Sequence, residues 1–146
     1  KLEIGKGKVI LEGKKLAILS FGTRLNECLK AAENLKKKGI NITVVDARFI
    51  KPLDKKLIWQ IATDHEAIIT IEEGSIGGFG SHVSNFLLEK KLLDSSLKFR
   101  SMMLPDKFID HDKPEEMYKI AGLDAQSIEE KVLDLLNSNI ILQKQK

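Results

Sequence analysis

The chain has 146 residues, of which 42% are hydrophobic and 31% charged, with only 3 prolines, and this composition excludes fibrous and disordered classes. Its 24 basic and 21 acidic residues give a net charge of +3 and are interleaved, so we expect a solvated surface and no nucleic-acid partner. No apolar run approaches the roughly 18 residues that span a membrane, and no signal peptide opens the sequence, so we expect an intracellular protein with no membrane partner.

The first part of the chain predicts two strands and a helix. Residues 9–11 and 16–21 are short apolar runs separated by four residues, which predicts an antiparallel hairpin whose second, more apolar strand is central. Thr23 is expected to cap the helix that follows, and Gly39 is expected to end it. Cys28 falls on the apolar face of this helix, so we expect a buried thiol that acts as a small hydrophobic side chain.

The next part predicts a strand, a helix and a second strand. Residues 42–45 form the first of these strands, and Asp54 is expected to cap the helix. Trp59 lies off the apolar stripe of that helix, which makes it a candidate for an exposed aromatic or a domain contact, although packing on a neighbouring loop is the commoner outcome. His65, at the helix end, is expected to be exposed. The apolar run at 67–71 predicts a buried strand.

The last part of the chain continues the alternation of helices and strands. A helix, a strand at 97–103, a short helix with Asp112 as its expected cap, and a final helix capped by Asp124 follow in order. We expect residues 1–137 to form one domain and residues 138–146 a frayed tail. This order predicts an α/β fold, a three-layer α/β/α sandwich whose five-stranded, mostly parallel sheet has one antiparallel edge strand.

The loop at 72–82 is the stretch in which we look for function, because it joins a buried strand to a helix and is dense in glycine. Its glycines are Gly74, Gly77, Gly78 and Gly80. Their spacing fits neither a dinucleotide-binding nor a phosphate-binding loop, which disfavours nucleotide binding. His82 opens the following helix and is the histidine that we would test first for a contact role.

Charged residues also gather where the predicted parallel strands end. Ligands of open α/β sheets bind at this edge, so two arginines and several acids are candidates to converge there. These residues are Arg24, Asp46, Arg48, Glu72, Glu73 and Asp106.

Two sets of charged residues suggest a catalytic or a metal-binding role, but their positions in the predicted elements argue against it. Glu72 and Glu73 are neighbours at a strand end and point to opposite faces, which disfavours a shared acid/base role and leaves one carboxylate to cap the loop through its amides. Asp110, His111 and Asp112 look like a metal cluster, but acids at a helix start are explained by capping. We therefore predict no catalytic, cofactor-binding or metal-binding residue.

The segment Ile71-Glu72-Glu73-Gly74-Ser75-Ile76-Gly77-Gly78-Phe79-Gly80-Ser81-His82 closely resembles the C-terminal domain of 1-deoxy-D-xylulose-5-phosphate synthases, which are thiamine-diphosphate enzymes of the transketolase superfamily. Other segments resemble the same family in the expected order, namely 5–7, 17–24, 46–54, 104–111 and 121–124. The resemblance covers roughly residues 5–136, and the agreement of several separate loop motifs makes it specific.

The resemblance implies a synthase that decarboxylates pyruvate on thiamine diphosphate and joins the two-carbon unit to glyceraldehyde 3-phosphate, for isoprenoid, thiamine and pyridoxal synthesis. In such enzymes the earlier domains hold the cofactor and magnesium, so we expect no cofactor in this segment and an inactive isolated chain. The sequence begins at Lys1 and not at methionine, so we expect a piece of a longer protein. The expected location is the bacterial cytoplasm or a plastid.

The resemblance also implies the role of the domain. In this family the domain packs in a homodimer and supports the preceding domains of the same polypeptide, so we expect a scaffold whose loops make inter-domain or inter-subunit contacts. The candidate contact residues are Glu72, Glu73, Gly74, Gly77, Gly78, Phe79, Gly80, Ser81, His82, Asp106, Phe108 and His111.

Two alternatives remain open. The C-terminal domain of a 2-oxo-acid dehydrogenase beta subunit shares the Glu-Glu-Gly and Gly-Gly-Phe-Gly elements, but Ser75-Ile76 stands where that subunit would have Trp-Pro. The other alternative is an autonomous α/β module that binds a ligand or a partner. Tight binding of phosphates or thiamine diphosphate to the isolated chain would favour this module.

Overall fold

The structure, a computed structural model, describes the backbone of residues 2–144 and the side chains of residues 2–137. Within these residues it has the strands β1 (Lys8–Leu11), β2 (Leu16–Ser20), β3 (Thr43–Asp46), β4 (Ala67–Ile71) and β5 (Lys98–Met102), and the helices α1 (Leu25–Lys37), α2 (Lys55–Asp64), α3 (Phe79–Glu89), α4 (Pro114–Ile120) and α5 (Ala125–Lys144). No helix in this part of the chain combines the length and the apolar character that crossing a membrane requires.

The strands form one sheet in the order β1-β3-β2-β4-β5. β2, β3, β4 and β5 run parallel, and β1 pairs antiparallel with β3 at one edge. Every residue of β2 is buried, because this apolar strand has a parallel neighbour on each side and helices on both faces. The predicted five-stranded, mostly parallel sheet with one antiparallel edge strand is confirmed.

Helices cover both faces of the sheet. Along β2, Leu16 and Ile18 belong to a core cluster shared with α1 and α5, whereas Ala17 and Leu19 belong to a second cluster shared with α2 and α3. Successive side chains of a strand point to opposite faces, so one strand supplies both clusters. The predicted three-layer α/β/α sandwich is therefore confirmed.

The predicted hairpin between the first two strands is wrong. β1 lies beside β3, with Val9 opposite Val45, and the two edges of β2 are occupied by β3 and β4. The connection from β1 to β2 crosses the start of β3, where the N–H of Gly13 donates to Thr43 Oγ1 at 3.0 Å. A Cβ on Gly13 would lie 2.3 Å from the carbonyl carbon of Ile42, so only glycine fits this crossing.

Two of the four predicted helix caps are present. Asp54 accepts a hydrogen bond from the α2 amide three residues further on, at 3.1 Å, and Asp124 does the same for α5, also at 3.1 Å. Helix α1 starts without a side-chain cap: its N-cap residue is Arg24, one residue after Thr23, and the Thr23 hydroxyl donates to Glu73. Helix α4 also lacks a side-chain cap: its N-cap residue is Lys113, one residue after Asp112, and Asp112 accepts from the N–H of Lys113.

His65 is half-buried, whereas the sequence predicted an exposed ring. Its Nδ1 lies 2.9 Å from the carbonyl oxygen of Ile61, and its Nε2 lies 2.8 Å from Thr43 Oγ1. A carbonyl only accepts, so Nδ1 donates to Ile61. These two bonds draw the ring in against the end of α2. Trp59, on the same helix, is half-exposed.

Helix α5 runs to Lys144, so the backbone is helical through most of the segment 138–146. Residues 145–146 and the side chains of residues 138–144 lie outside the described part of the chain. The division into a domain at 1–137 and a frayed tail stays a prediction.

Cys28 is fully buried on the inner face of α1, which confirms the predicted buried thiol. Burial raises the pKa of the thiol to about 12, and only the thiolate reacts readily. We therefore expect the folded chain to resist alkylation by iodoacetamide at about pH 8, and the urea-unfolded chain to react fully. Mass spectrometry of the two samples measures this, and rapid alkylation of the folded chain would contradict the burial.

Two glutamates join α1 to the helix beside it. Glu27 accepts from Lys30 Nζ at 2.7 Å and from the N–H of Ala125, at the start of α5, at 3.0 Å. Glu129, on α5, accepts from the side-chain amide of Asn34 at 2.8 Å. The hydrogen bond from Lys30 holds the pKa of Glu27 below its usual 4.5, and the one from Asn34 does the same for the pKa of Glu129.

We expect the free energy of unfolding to fall as the pH is lowered from about 5 through the lowered pKa values of Glu27 and Glu129. A carboxyl whose pKa is lower in the folded than in the unfolded chain stabilises the fold above its usual pKa, and this contribution is lost as the pH falls below it. Urea unfolding at several pH values measures the effect. The double variant Glu27→Gln, Glu129→Gln should have a weaker pH dependence than the unaltered chain, and an equal dependence would contradict the assignment.

Candidate functional site

The carboxyl ends of the four parallel strands bring the predicted loops together at one edge of the sheet. The loops after β4 and β5 are in direct contact, because the N–H of Leu104 donates to the carbonyl oxygen of Gly74 at 2.9 Å. The loop after β2 is in contact with the loop after β4, where Arg24 Nη2 lies 3.1 Å from Glu73 Oε1. The loops that the sequence singled out therefore share one edge.

Glu72 turns inward from this edge and is 4% exposed. Its Oε1 accepts the N–H of Phe79 at 3.0 Å, and its Oε2 accepts the N–H of Gly80 at 2.7 Å. These amides open α3, where N–H groups have no partner within the helix and the helix dipole favours an anion. The prediction that one carboxylate caps the loop through its amides is confirmed.

Three of the four loop glycines have neighbours that leave no room for a Cβ, and the fourth, Gly77, has a φ of +97°. A Cβ on Gly78 would lie 2.0 Å from Glu72 Oε1, and one on Gly74 would lie 2.5 Å from the same atom. A Cβ on Gly80 would lie 2.7 Å from the hydroxyl oxygens of Thr70 and Ser101. The loop is glycine-rich because it closes on its own glutamate and strand, which accounts for a spacing that fits no phosphate-binding pattern.

The aromatic ring of the loop belongs to the core. Phe79 is fully buried and stacks on Phe21 with ring centroids 5.4 Å apart. The ring packs in the cluster between the sheet and the helices α2 and α3. A side chain in this position fixes the start of α3.

Glu73 turns the opposite way and joins a group of four side chains that we call the Arg24 clasp: Thr23, Arg24, Glu73 and Tyr118. The hydroxyl of Thr23 donates to Glu73 Oε1, and Arg24 Nη2 lies 3.1 Å from the same oxygen. The guanidinium carbon of Arg24 lies 3.5 Å from the centre of the Tyr118 ring. The clasp thus connects the β2–α1 loop, the β4–α3 loop and helix α4.

The clasp changes the proton affinity of two of its members. Burial alone raises the pKa of Glu73, but hydrogen bonds from Thr23 and Tyr118 and the charge of Arg24 outweigh it and hold the pKa below its usual value. The hydrogen bond to Glu73 raises the pKa of the Tyr118 hydroxyl. At neutral pH the clasp therefore contains an ionised carboxylate and a protonated phenol.

The charged side chains that were expected to converge instead bond to separate partners within the chain. Arg24 pairs with Glu73, Arg48 Nε lies 3.3 Å from Asp46 Oδ2, and Glu72 is engaged by the α3 amides. The two neighbouring glutamates point in opposite directions, as the strand period predicts. These charges stabilise the fold at this edge.

The candidate contact residues differ in exposure. Glu72, Phe79 and Gly80 are buried; Glu73, Gly78, Ser81 and His82 are half-buried; Gly74, Gly77, Asp106, Phe108 and His111 are exposed. The contact role of this set stays a prediction.

Sequence reasoning missed two residues of this edge. Ile76 is 80% exposed, and its position as an apolar residue inside a glycine-rich loop could have identified it from the sequence. Nothing in the sequence around Tyr118 points to its contact at this edge.

The residues at this edge do not fit a magnesium-bound diphosphate. Both oxygens of Glu72 accept backbone amides, and Asp46 and Glu73 are each paired with an arginine. Across the described residues, no group of three or more His, Cys, Asp and Glu side chains is placed to hold a metal ion.

Comparison with known proteins identifies the family. Residues 5–128 match the model described as "Transketolase, C-terminal domain". The solved structure of a "split gene transketolase, inactive beta4 tetramer" is similar, with a TM-score of 0.83 and 31% identity over 94% of this chain and 44% of that chain.

Transketolase variants from Pichia stipitis show the same fold at lower identity. One has a TM-score of 0.65 and 16% identity over 89% of this chain and 18% of that one, and another has a TM-score of 0.60 and 16% identity over 87% and 17%. The chain thus spans less than half the length of these solved structures. With most of its length matched by the family model, the chain belongs to the transketolase C-terminal domain family.

Proposed function

We propose that this chain is the C-terminal scaffold domain of a 1-deoxy-D-xylulose-5-phosphate synthase, a thiamine-diphosphate-dependent transferase that condenses pyruvate with glyceraldehyde 3-phosphate and releases carbon dioxide. Membership of the transketolase C-terminal family supports the enzyme class. Ser75-Ile76 and Leu104-Pro105-Asp106, which resemble the synthases, favour this member of the class over a 2-oxo-acid dehydrogenase. The product would serve isoprenoid, thiamine and pyridoxal synthesis in a bacterial cytoplasm or a plastid.

The scaffold role is supported by the polar side chains of this edge, which bond to partners within the chain. Glu72 uses both oxygens to cap α3, and Arg24 and Arg48 are paired within the chain. Beside them, Ile76 is 80% exposed and Phe108 is 89% exposed, on loops that the Leu104–Gly74 hydrogen bond joins. Polar groups engaged in the fold beside exposed apolar side chains are typical of a contact surface and not of a catalytic centre.

The partners follow from this assignment. The surface with Ile76 and Phe108 would contact the preceding domains of the same polypeptide or the second subunit of a homodimer. A related split-gene transketolase is described as a tetramer, which supports association with further chains. Thiamine diphosphate and magnesium would be held by the other domains, in keeping with the lack of fit at this edge.

The reaction is tested on the full-length polypeptide that contains this chain. With thiamine diphosphate and magnesium, we expect it to convert pyruvate and glyceraldehyde 3-phosphate into carbon dioxide and 1-deoxy-D-xylulose 5-phosphate, the latter identified by mass spectrometry. Transfer between ketose and aldose phosphates, or acetyl transfer to a lipoyl domain, would overturn the synthase assignment in favour of another member of the superfamily.

Replacing either exposed apolar residue with a charge should weaken association. In the full-length enzyme, Ile76→Asp and Phe108→Asp each place a charge on the proposed contact surface, and we expect a fall of about tenfold or more in the association constant measured by sedimentation. Leu88→Asp is the matched control, because Leu88 is an exposed apolar residue at the far end of α3. Sedimentation that matches this control in both variants would rule out the contact surface.

A further inference from the structure

The connection between β5 and α4 contains residues 105–113, which we call the strap. The strap follows Leu104, whose N–H donates to the carbonyl oxygen of Gly74, and it contains Phe108 in its exposed part. The strap's own hydrogen bonds are local, for example from the N–H of Lys107 to the carbonyl oxygen of Pro105 at 2.8 Å. A segment with few contacts to the core and an exposed backbone opens locally at a low free-energy cost.

Helix α4, at the other end of the strap, is weakly attached by packing. It has seven residues, none of them buried, and a helix this short is not stable by itself. Its most specific attachment is the side chain of Tyr118, which packs beside the core cluster of α1 and α5 and joins the Arg24 clasp. The position of α4 therefore depends on that side chain.

The geometry of the clasp suits this task. The side chain of Arg24 is only 11% exposed, so its attraction for Glu73 at 3.1 Å is partly shielded from water. A planar guanidinium stacks on an aromatic ring with its face while it donates hydrogen bonds from its edge. Arg24 makes both contacts, and it thereby holds Tyr118 to the β4–α3 loop.

We propose that the Arg24 clasp is a positioning device that docks α4 on the domain and so fixes the strap and its exposed Phe108. When the clasp is broken, residues 105–120 open as one unit and the sheet stays folded. The effect of the clasp on the strap depends only on residues of this chain. Its consequence for association rests on the proposed function, because Phe108 matters there only as part of the contact surface.

Hydrogen exchange of the full chain, followed by mass spectrometry, tests the device. In Arg24→Gln and in Tyr118→Leu, peptides from residues 105–120 should exchange about tenfold faster at the hydrogen-bonded amides of α4 than in the unaltered chain, while those from β2, β4 and α5 keep their rates. Arg48→Gln is the matched control, since Arg48 is a paired arginine at the same edge that lies outside the clasp. Unchanged exchange of 105–120 in both clasp variants, or an equal rise in all peptides, would overturn the proposal.

A conservative variant separates positioning from simple packing loss. Tyr118→Phe keeps the ring that stacks on Arg24 and loses the hydroxyl, so it should retain most of the protection of the strap. Exchange as fast as in Tyr118→Leu would contradict the stacking as the main attachment. Sedimentation of full-length Arg24→Gln then addresses the contact role: a mobile strap with unchanged association upholds the clasp and overturns the part assigned to Phe108.

Discussion

Glu72→Ala is expected to lower the free energy of unfolding by about 3–5 kcal/mol, one of the largest effects of any substitution at this edge. The variant removes the acceptor of two buried amides, those of Phe79 and Gly80, and neither amide has an alternative acceptor in its helix. A buried donor left without a partner costs about 1–3 kcal/mol, and the lost volume adds a cavity. Chemical denaturation followed by circular dichroism measures the loss.

The neighbouring glutamate provides the control for this expectation. Glu73→Ala removes a partly exposed carboxylate of the same type, one residue further along the chain, and should cost less than about 1 kcal/mol. Glu72→Gln keeps the side-chain length and one carbonyl oxygen, so its effect should lie between those of the two alanine variants. Equal losses in Glu72→Ala and Glu73→Ala would show that the inward carboxylate has no special role in stability.

The fold was predictable where the signal is local. The apolar run at 67–71 has the bounds of β4, and Asp54 and Asp124 cap the helices for which they were predicted, because burial and capping depend on neighbours within a few residues. The hairpin failed because strand pairing is not local. β1 and β2 are adjacent in sequence, yet the most apolar strand takes two parallel neighbours, which leaves β1 at the far edge.

The sequence predicted which way the side chains of the candidate site point, but not which residues they contact. The two-residue period of a strand already separates Glu72 from Glu73, and the structure shows that separation. The reason for the glycines could not be predicted, because it depends on where a buried carboxylate lies relative to a backbone several residues away. The Arg24 clasp was missed for a similar cause: Arg24 and Tyr118 meet only after α4 has folded back onto α1.

Gly78→Ala should lower the free energy of unfolding by about 2–4 kcal/mol. Gly78 has a negative φ of −83°, so this position does not need glycine for a left-handed backbone conformation. The cost comes from the new Cβ, which would lie 2.0 Å from Glu72 Oε1. That oxygen is buried and bonded to the Phe79 amide, so the carboxylate must give up its hydrogen bonds or the loop must move.

A double-mutant cycle tests whether this clash is the cause. In the Glu72→Ala background the Cβ of Gly78→Ala has no carboxylate to meet, so its cost should fall below about 1 kcal/mol and the two effects should be strongly non-additive. Gly80→Ala is the matched control, because its Cβ would lie 2.7 Å from Thr70 Oγ1 and Ser101 Oγ, and its cost should persist in both backgrounds. Additive effects for Gly78→Ala and Glu72→Ala would mean that the loop needs glycine at position 78 for a reason other than the buried glutamate.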